Sequence, residues 1–219
     1  NLGYRGWIKY EYLRDYEGAI NDFKRLDSLT PNFVDYPWGV NIYQMLGNSY
    51  AAKKDYKLAL LEYEKYLIST NEKDYTGDFF IFYGKSLENN NNLQEALKSY
   101  SRAIVIDSLR ADHHYYKATI LFKLKKFSEA KIYIKNAQNL YEKNYTYKDK
   151  YNDLYMQINK NQIFSWEIKE KVKLKVNMDL NGDGKNDILT FYIDKKNSEY
   201  GELCVNNQKI KVERINSEF

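Results

Sequence analysis

Along most of the chain the apolar positions recur at helical spacing, and one arrangement of them appears four times. A small residue is followed four positions later by a large apolar one at Ala19/Phe23, Ala59/Tyr63, Ala96/Tyr100 and Ala130/Ile134. Successive pairs stand about 40, about 37 and about 34 residues apart, a repeat length that suits one helical hairpin per unit. Three positions before each Ala lies an aromatic residue or Leu: Tyr16, Tyr56, Leu93 and Phe127. Asp15, Asp55 and Asn92 immediately precede three of these, where a side-chain oxygen can accept from the free N–H groups that open a helix. Upstream of each turn a second pattern repeats, Trp7/Tyr10, Gly47/Tyr50, Gly84/Leu87 and Ala118/Leu121. Each unit therefore predicts helix, turn, helix.

These positions together resemble the tetratricopeptide repeat family, in which a small residue of the first helix and an Ala of the second let the paired helices approach closely. The resemblance covers roughly three quarters of the chain, with two departures. Trp7 stands where Gly or Ala is usual, and the loop from Leu29 to Pro37 is longer than the family's connection, with Pro31 as its closing proline. A hairpin cannot bury its apolar face alone, so stacked neighbours must share a core and the last unit needs a cap. Tyr141 to Lys160 suits that cap, with Tyr151, Leu154, Tyr155 and Ile158 on one helical face. The expected architecture is mainly α: a helical-hairpin solenoid of about four units plus a capping helix over residues 1–160, then a small antiparallel β appendix over 161–219.

The resemblance implies that the first helices line a concave surface that holds a protein or peptide. The corresponding positions are Tyr4, Arg5, Asn41, Gln44, Asn48, Asp78, Lys85, Asp112 and Tyr115. Amide side chains can pair with the backbone of an extended segment, and Tyr supplies rigid contact area, so the set suits peptide capture. Only Asn48 and Lys85 meet the Lys and Asn pattern of members that bind chaperone tails, so a carboxylate tail is not implied.

After Asn161 the period changes from 3.6 to 2. Val172, Leu174, Val176 and Met178 alternate with Lys171, Lys173, Lys175 and Asn177, the mark of a half-buried strand. It leads into a loop whose oxygen-bearing side chains alternate at Asp179, Asn181 and Asp183, with Gly184 at the bend. With the Lys185 carbonyl and Asp187 they can converge on one hard cation, for which calcium is the best match. Carboxylates crowded into one turn repel unless a cation neutralises them, which favours occupancy over a plain turn. Thr190 stands where an EF-hand has its bidentate Glu, and strands rather than helices flank the loop. The loop is instead similar to the short calcium loops of integrin-like and bacterial extracellular repeats. Its expected role is structural. Further on, Asn206 and Asn207 suit a tight hairpin turn between two more strands.

Composition narrows the function. In 219 residues, 34 basic and 30 acidic side chains are interspersed for a net charge of +4, without the basic stripe that nucleic acid requires. No window reaches the ~18 apolar residues of a membrane span. The chain opens at Asn1 with a helical pattern already running, which leaves room for a signal peptide or lipid anchor upstream. The single Cys204 has no partner for a disulfide and reads as a strand residue. His113 and His114, the only histidines, are adjacent, so on a helix they point about 100° apart and cannot readily share a metal. They read as surface residues at a repeat junction. No phosphate loop, serine elbow or nucleophile–base pair is present, so an enzyme is not expected. A non-enzymatic adaptor is, with a surface protein that binds carbohydrate or assists an enzyme as the alternative. A weak calcium site points to the periplasm or cell surface, and its absence to the cytoplasm.

Overall fold

The computed structural model describes residues 1–146 and 157–164, together with the backbone of four strands at 171–178, 187–194, 201–205 and 208–212. The chain divides into two compact units, Asn1–Trp166 and Glu167–Phe219. The regular elements among the described residues of the first are helices: α1 (Leu2–Ile8), α2 (Tyr16–Leu29), α3 (Ile42–Ala52), α4 (Tyr56–Ser69), α5 (Gly77–Asn89), α6 (Leu93–Ile106), α7 (Ala111–Lys123), α8 (Phe127–Glu142) and a short α9 (Lys160–Phe164). Consecutive helices pack as hairpins, and the second helix of each hairpin packs on the first helix of the next. No helix among the described residues is long and apolar enough to cross a membrane.

The turns explain where these helices stop. Each first helix ends on a residue in the left-handed region, Arg14, Lys54, Asn91 or Lys125. The next N–H then bonds five residues back, from Asp55 to the Tyr50 carbonyl, Asn92 to Leu87 and Lys126 to Leu121, at 2.8–2.9 Å. Asp15 and Asp55 cap the following helices through their side chains, accepting from Gly18 and Leu58 N–H at 2.9 and 3.3 Å. Asn92 occupies the same position without a side-chain cap bond.

The first hairpin carries one residue more than the others. Lys9–Leu13 winds as a π-helical turn, and the Asp15 N–H reaches six residues back to the Lys9 carbonyl at 2.9 Å. The insertion moves the small-residue position from Trp7 to Gly6. A Cβ on Gly6 would lie 2.7 Å from the Phe23 ring, as one on Gly47 would lie 2.3 Å from Tyr63 and one on Gly84 2.6 Å from Tyr100. Three hairpins thus share one device, a buried ring seated on a bare helix backbone. The apparent departure of Trp7 from the repeat disappears once the extra residue is placed.

Ala19, Ala59, Ala96 and Ala130 are fully buried at the second-helix contact positions. The core runs on through Ile42, Leu46, Phe79, Ile120 and Leu121. At the far end α8 extends to Glu142, further than the sequence pattern suggested. Asn144, at φ 63°, turns the chain there, and the Tyr145 carbonyl accepts from Ala111 N–H at 2.8 Å. Of the capping helix expected over Tyr141–Lys160, residues 147–156 lie outside the described ones. Ile158 and Ile163 are buried against the helices, and Gln138 holds the Ile163 carbonyl at 3.2 Å.

In the second unit β1 (Lys171–Met178), β2 (Asp187–Asp194), β3 (Gly201–Val205) and β4 (Gln208–Val212) form one antiparallel sheet in chain order. Met178 pairs with Asp187 at the end of the first ladder, so the two ends of the intervening loop are adjacent.

Candidate functional site

With Gly6, Gly47, Gly84 and Ala118 equivalent, the residue after each falls on the same face of α1, α3, α5 and α7. That face presents Trp7, Asn48, Lys85 and Thr119 in turn, and α5 touches both α3 and α7.

Several of the positions expected to line a groove are engaged by partners within the fold or are buried in part. Asn41 is buried at the start of α3, accepting from Tyr43 N–H at 2.9 Å and donating to Ser69 and Thr70 hydroxyls at 3.1 Å. Asn48 is buried as well, its carbonyl taking the Tyr63 hydroxyl at 2.8 Å. Arg5 forks onto the buried Asp22 of α2 at 2.8 and 2.5 Å, joined by Lys9 at 3.0 Å. These bonds, Arg5's first, hold the Asp22 carboxyl below its ordinary pKa against the opposing effect of burial. Asp112 is buried in the first turn of α7, and Gln44 is half-buried on α3.

Of the remaining positions, Asp78 and Lys85 lie on α5 and Tyr115 on α7. The Lys85 ammonium stands 5.2 Å over the Tyr116 ring, and Tyr115 meets that ring edge-on at 5.5 Å. Burial, then the charge of Glu88, raises the Tyr115 pKa. Asp78 lies 3.2 Å from His113 Nε2 and 3.5 Å from Arg110. Burial works to raise the Asp78 pKa, but the His113 hydrogen bond and the Arg110 charge outweigh it and hold the carboxyl low. One further turn along, Glu88 accepts from the Tyr100 hydroxyl at 2.7 Å and pairs with Lys123 at 2.6 Å. Glu88 and Lys123 escaped the sequence reading because their pairing depends on the spacing of two hairpins.

The sequence reading also missed an aromatic cluster on the first hairpin. Trp7 and Trp38 stack at 4.6 Å with their planes 18° apart. Tyr4 lies against both, at 5.9 and 5.6 Å, and Tyr12 meets Trp7 edge-on at 5.3 Å. Trp38 is 64% exposed and holds φ 54° in the turn Pro37–Gly39. Of its sequence signals, only the extra residue between Gly6 and Phe23 could have placed Trp7 on this face.

The histidines are buried rather than at the surface, and they face different groups. His113 bonds to Asp78 and the Asp107 carbonyl, while His114 bonds to the Ser108 carbonyl at 2.9 Å and stacks on Tyr133. Among the described residues no group of three or more His, Cys, Asp or Glu could hold a metal ion. Of the calcium-loop positions, Asp179, Asn181, Asp183 and Lys185 lie outside the described residues, and Asp187 opens β2.

The sequence matches no protein-family model and no curated protein. Solved structures do share its helical fold. A crystal structure of MamA superposes with a TM-score of 0.53 at 18% identity, over 62% of this chain and 73% of that one. MamA from Desulfovibrio magneticus RS-1 gives 0.57 at 18%, over 65% and 75%. The C-terminal part of a TPR repeat-containing protein from Cytophaga hutchinsonii gives 0.54 at 21%. That match covers 63% of this chain and half of the Cytophaga chain. The helical unit thus has the fold of tetratricopeptide repeat proteins.

Proposed function

We propose that this protein is a non-enzymatic adaptor whose first-helix face holds an extended segment of a protein partner. The observation that carries the reading is the cluster shared by α5 and α7, where Lys85, Tyr115 and Tyr116 are assembled across two hairpins. Rigid rings beside a cationic head suit a segment that offers both apolar and polar groups. The fold shared with other repeat proteins supports it by analogy.

The test is selection of peptides from a displayed library on the intact protein, followed by affinity measurement on variants. Lys85→Glu and Tyr115→Ala should each weaken selected peptides by about tenfold or more. Ile132→Ser, at an exposed position on a second helix, should leave them unchanged. Peptides indifferent to the first two variants and lost with the third would overturn the assignment.

In the second unit we read the loop from Asp179 to Asp187 as a structural calcium site. Its support is the alternation of oxygen ligands together with the Met178–Asp187 pairing, which brings the loop's ends side by side. When bound, calcium would neutralise the carboxylates and pin the β1–β2 hairpin. A site of this kind fits an extracytoplasmic address, where calcium is abundant.

A second reading, binding of carbohydrate, is favoured by the cluster of exposed Tyr4, Tyr12 and Trp38 around the half-buried Trp7, since ring faces of this kind stack on sugar CH groups. Saturable quenching of tryptophan fluorescence by a soluble oligosaccharide, absent in Trp38→Ala, would support it. No response at roughly 10 mM would dismiss it.

A further inference from the structure

His113 sits in the first turn of α7 with 1% of its surface exposed, and both of its ring nitrogens point at oxygens of other segments. Nδ1 lies 2.9 Å from the carbonyl of Asp107, the residue that ends α6. Nε2 lies 3.2 Å from Oδ1 of Asp78, in the first turn of α5. The ring fits there because position 77 is glycine: a Cβ on Gly77 would stand 2.4 Å from His113 Cε1. Three segments from two successive hairpins therefore meet at one imidazole.

A backbone carbonyl and a carboxylate are both acceptors. An imidazole donates from both nitrogens only when doubly protonated, and the neutral ring donates from one. We infer that His113 is a proton-operated latch between the third and fourth hairpins. As the imidazolium it ties α7 to α5 and to the end of α6 together. As the neutral ring it keeps the carboxylate, the stronger acceptor, and releases the Asp107 carbonyl. The bare Nδ1 then faces that carbonyl's lone pairs, which separates them and frees the α6–α7 connection.

The charged and titratable surroundings come from every neighbouring element. α5 contributes Asp78, the connection contributes Asp107 and Arg110, and α7 contributes Asp112, His114 and Lys117. Arg110 shares Asp78 Oδ1 with the ring. The Asp107 carboxylate is directed away from the ring, accepting from Leu109 N–H at 3.0 Å. Asp78 is thus the carboxylate that faces His113 directly, and the latch does not depend on which ligand the protein binds.

Ring nitrogen chemical shifts of the intact protein, followed from about pH 5 to about pH 8, report protonation at each nitrogen. The chain has two histidines, so His114→Phe identifies the His113 signals. The expected result is protons on both nitrogens while the connection is tied and on Nε2 alone once it is released. Amide exchange over residues 107–114, corrected for its intrinsic pH dependence, should accelerate by about tenfold across the same transition. The amide of Asp78→Asn can donate to Nε2 and leave the neutral ring its Nδ1–H for the Asp107 carbonyl, so exchange over this stretch should no longer change with pH. A single neutral tautomer throughout, or corrected exchange that is flat across the titration of the wild type, would overturn the latch.

Discussion

At the scale of single residues the fold depends on bare backbone beneath a ring. Gly84 admits the Tyr100 ring, whose hydroxyl then reaches Glu88. A methyl group there would meet ring carbon at 2.6 Å, and Tyr100 is fully buried. Gly84→Ala should therefore destabilise the protein by about 1–3 kcal/mol, the range for overpacking, despite alanine's better helix propensity. A denaturant midpoint at or above the wild-type value would show that the ring can shift. The fourth hairpin carries Ala118 at this position, and the smaller Ile134 stands where the others have a ring. A second residue-scale effect comes from His114, whose pKa is lowered chiefly by burial, with the bond to the Ser108 carbonyl acting the other way. The unfolded ring takes up its proton first as pH falls, so the unfolded state then binds more protons than the folded one. The His114 contribution is complete above about pH 6.5, the ordinary imidazole value, and is lost below it. His114→Phe keeps a ring for Tyr133 to stack on and removes the titration. Its urea midpoint should fall less steeply than wild type between about pH 7 and about pH 5. Equal slopes would assign the acid sensitivity elsewhere.

At the scale of elements, the hairpins were legible because each second helix repeats the same small and large pair at a spacing that only a helix satisfies. Ala19, Ala59, Ala96 and Ala130 could be aligned without knowing their neighbours. The first helices were less legible. The π-helical turn Lys9–Leu13 adds a residue without changing the apolar pattern, so Trp7 was aligned where Gly6 belongs. Burial of Asn41 and Asn48 was illegible for a different reason. Their partners, Ser69, Thr70 and Tyr63, lie 15–29 residues away on the second helix or just past its end, and sequence shows an amide side chain without showing what fills its bonds. The turns carry their own consequence. Arg14, Lys54, Asn91 and Lys125 all occupy the left-handed region, where a side chain is strained and glycine is not. Lys125→Gly should raise stability by about 0.5–1 kcal/mol, less than the strain relieved because glycine also loosens the unfolded chain. The gain should register as a higher thermal midpoint; a lower one would mean that the Lys125 side chain contributes contacts worth more than the strain.

At the scale of the whole molecule the two units pose different problems of stability. The helical unit spreads a continuous buried core over successive hairpins, so each hairpin is held by its neighbours. The second unit spans Glu167–Phe219 and is organised on one four-stranded sheet, a size at which a metal commonly supplements the core. The β1–β2 ladder closes at Met178 and Asp187, next to the loop that carries Asp179, Asn181 and Asp183. If calcium binds there with the weak affinity of extracellular sites, Kd about 10⁻⁴–10⁻³ M, then about 10 mM of it should stabilise the hairpin by about 1.4–2.7 kcal/mol. Amide exchange within β1 and β2 should slow by about ten- to a hundredfold on adding calcium to the intact protein, with magnesium much less effective because it demands tighter octahedral geometry. The helical amides of α3 to α7 provide the internal reference for general salt effects. Asp183→Ala removes a central ligand, and its strand amides should no longer respond. Strand exchange that ignores calcium in the wild type would remove the metal from the account and leave the carboxylates to be explained as a plain turn. A response that persisted in Asp183→Ala would place the cation on other ligands.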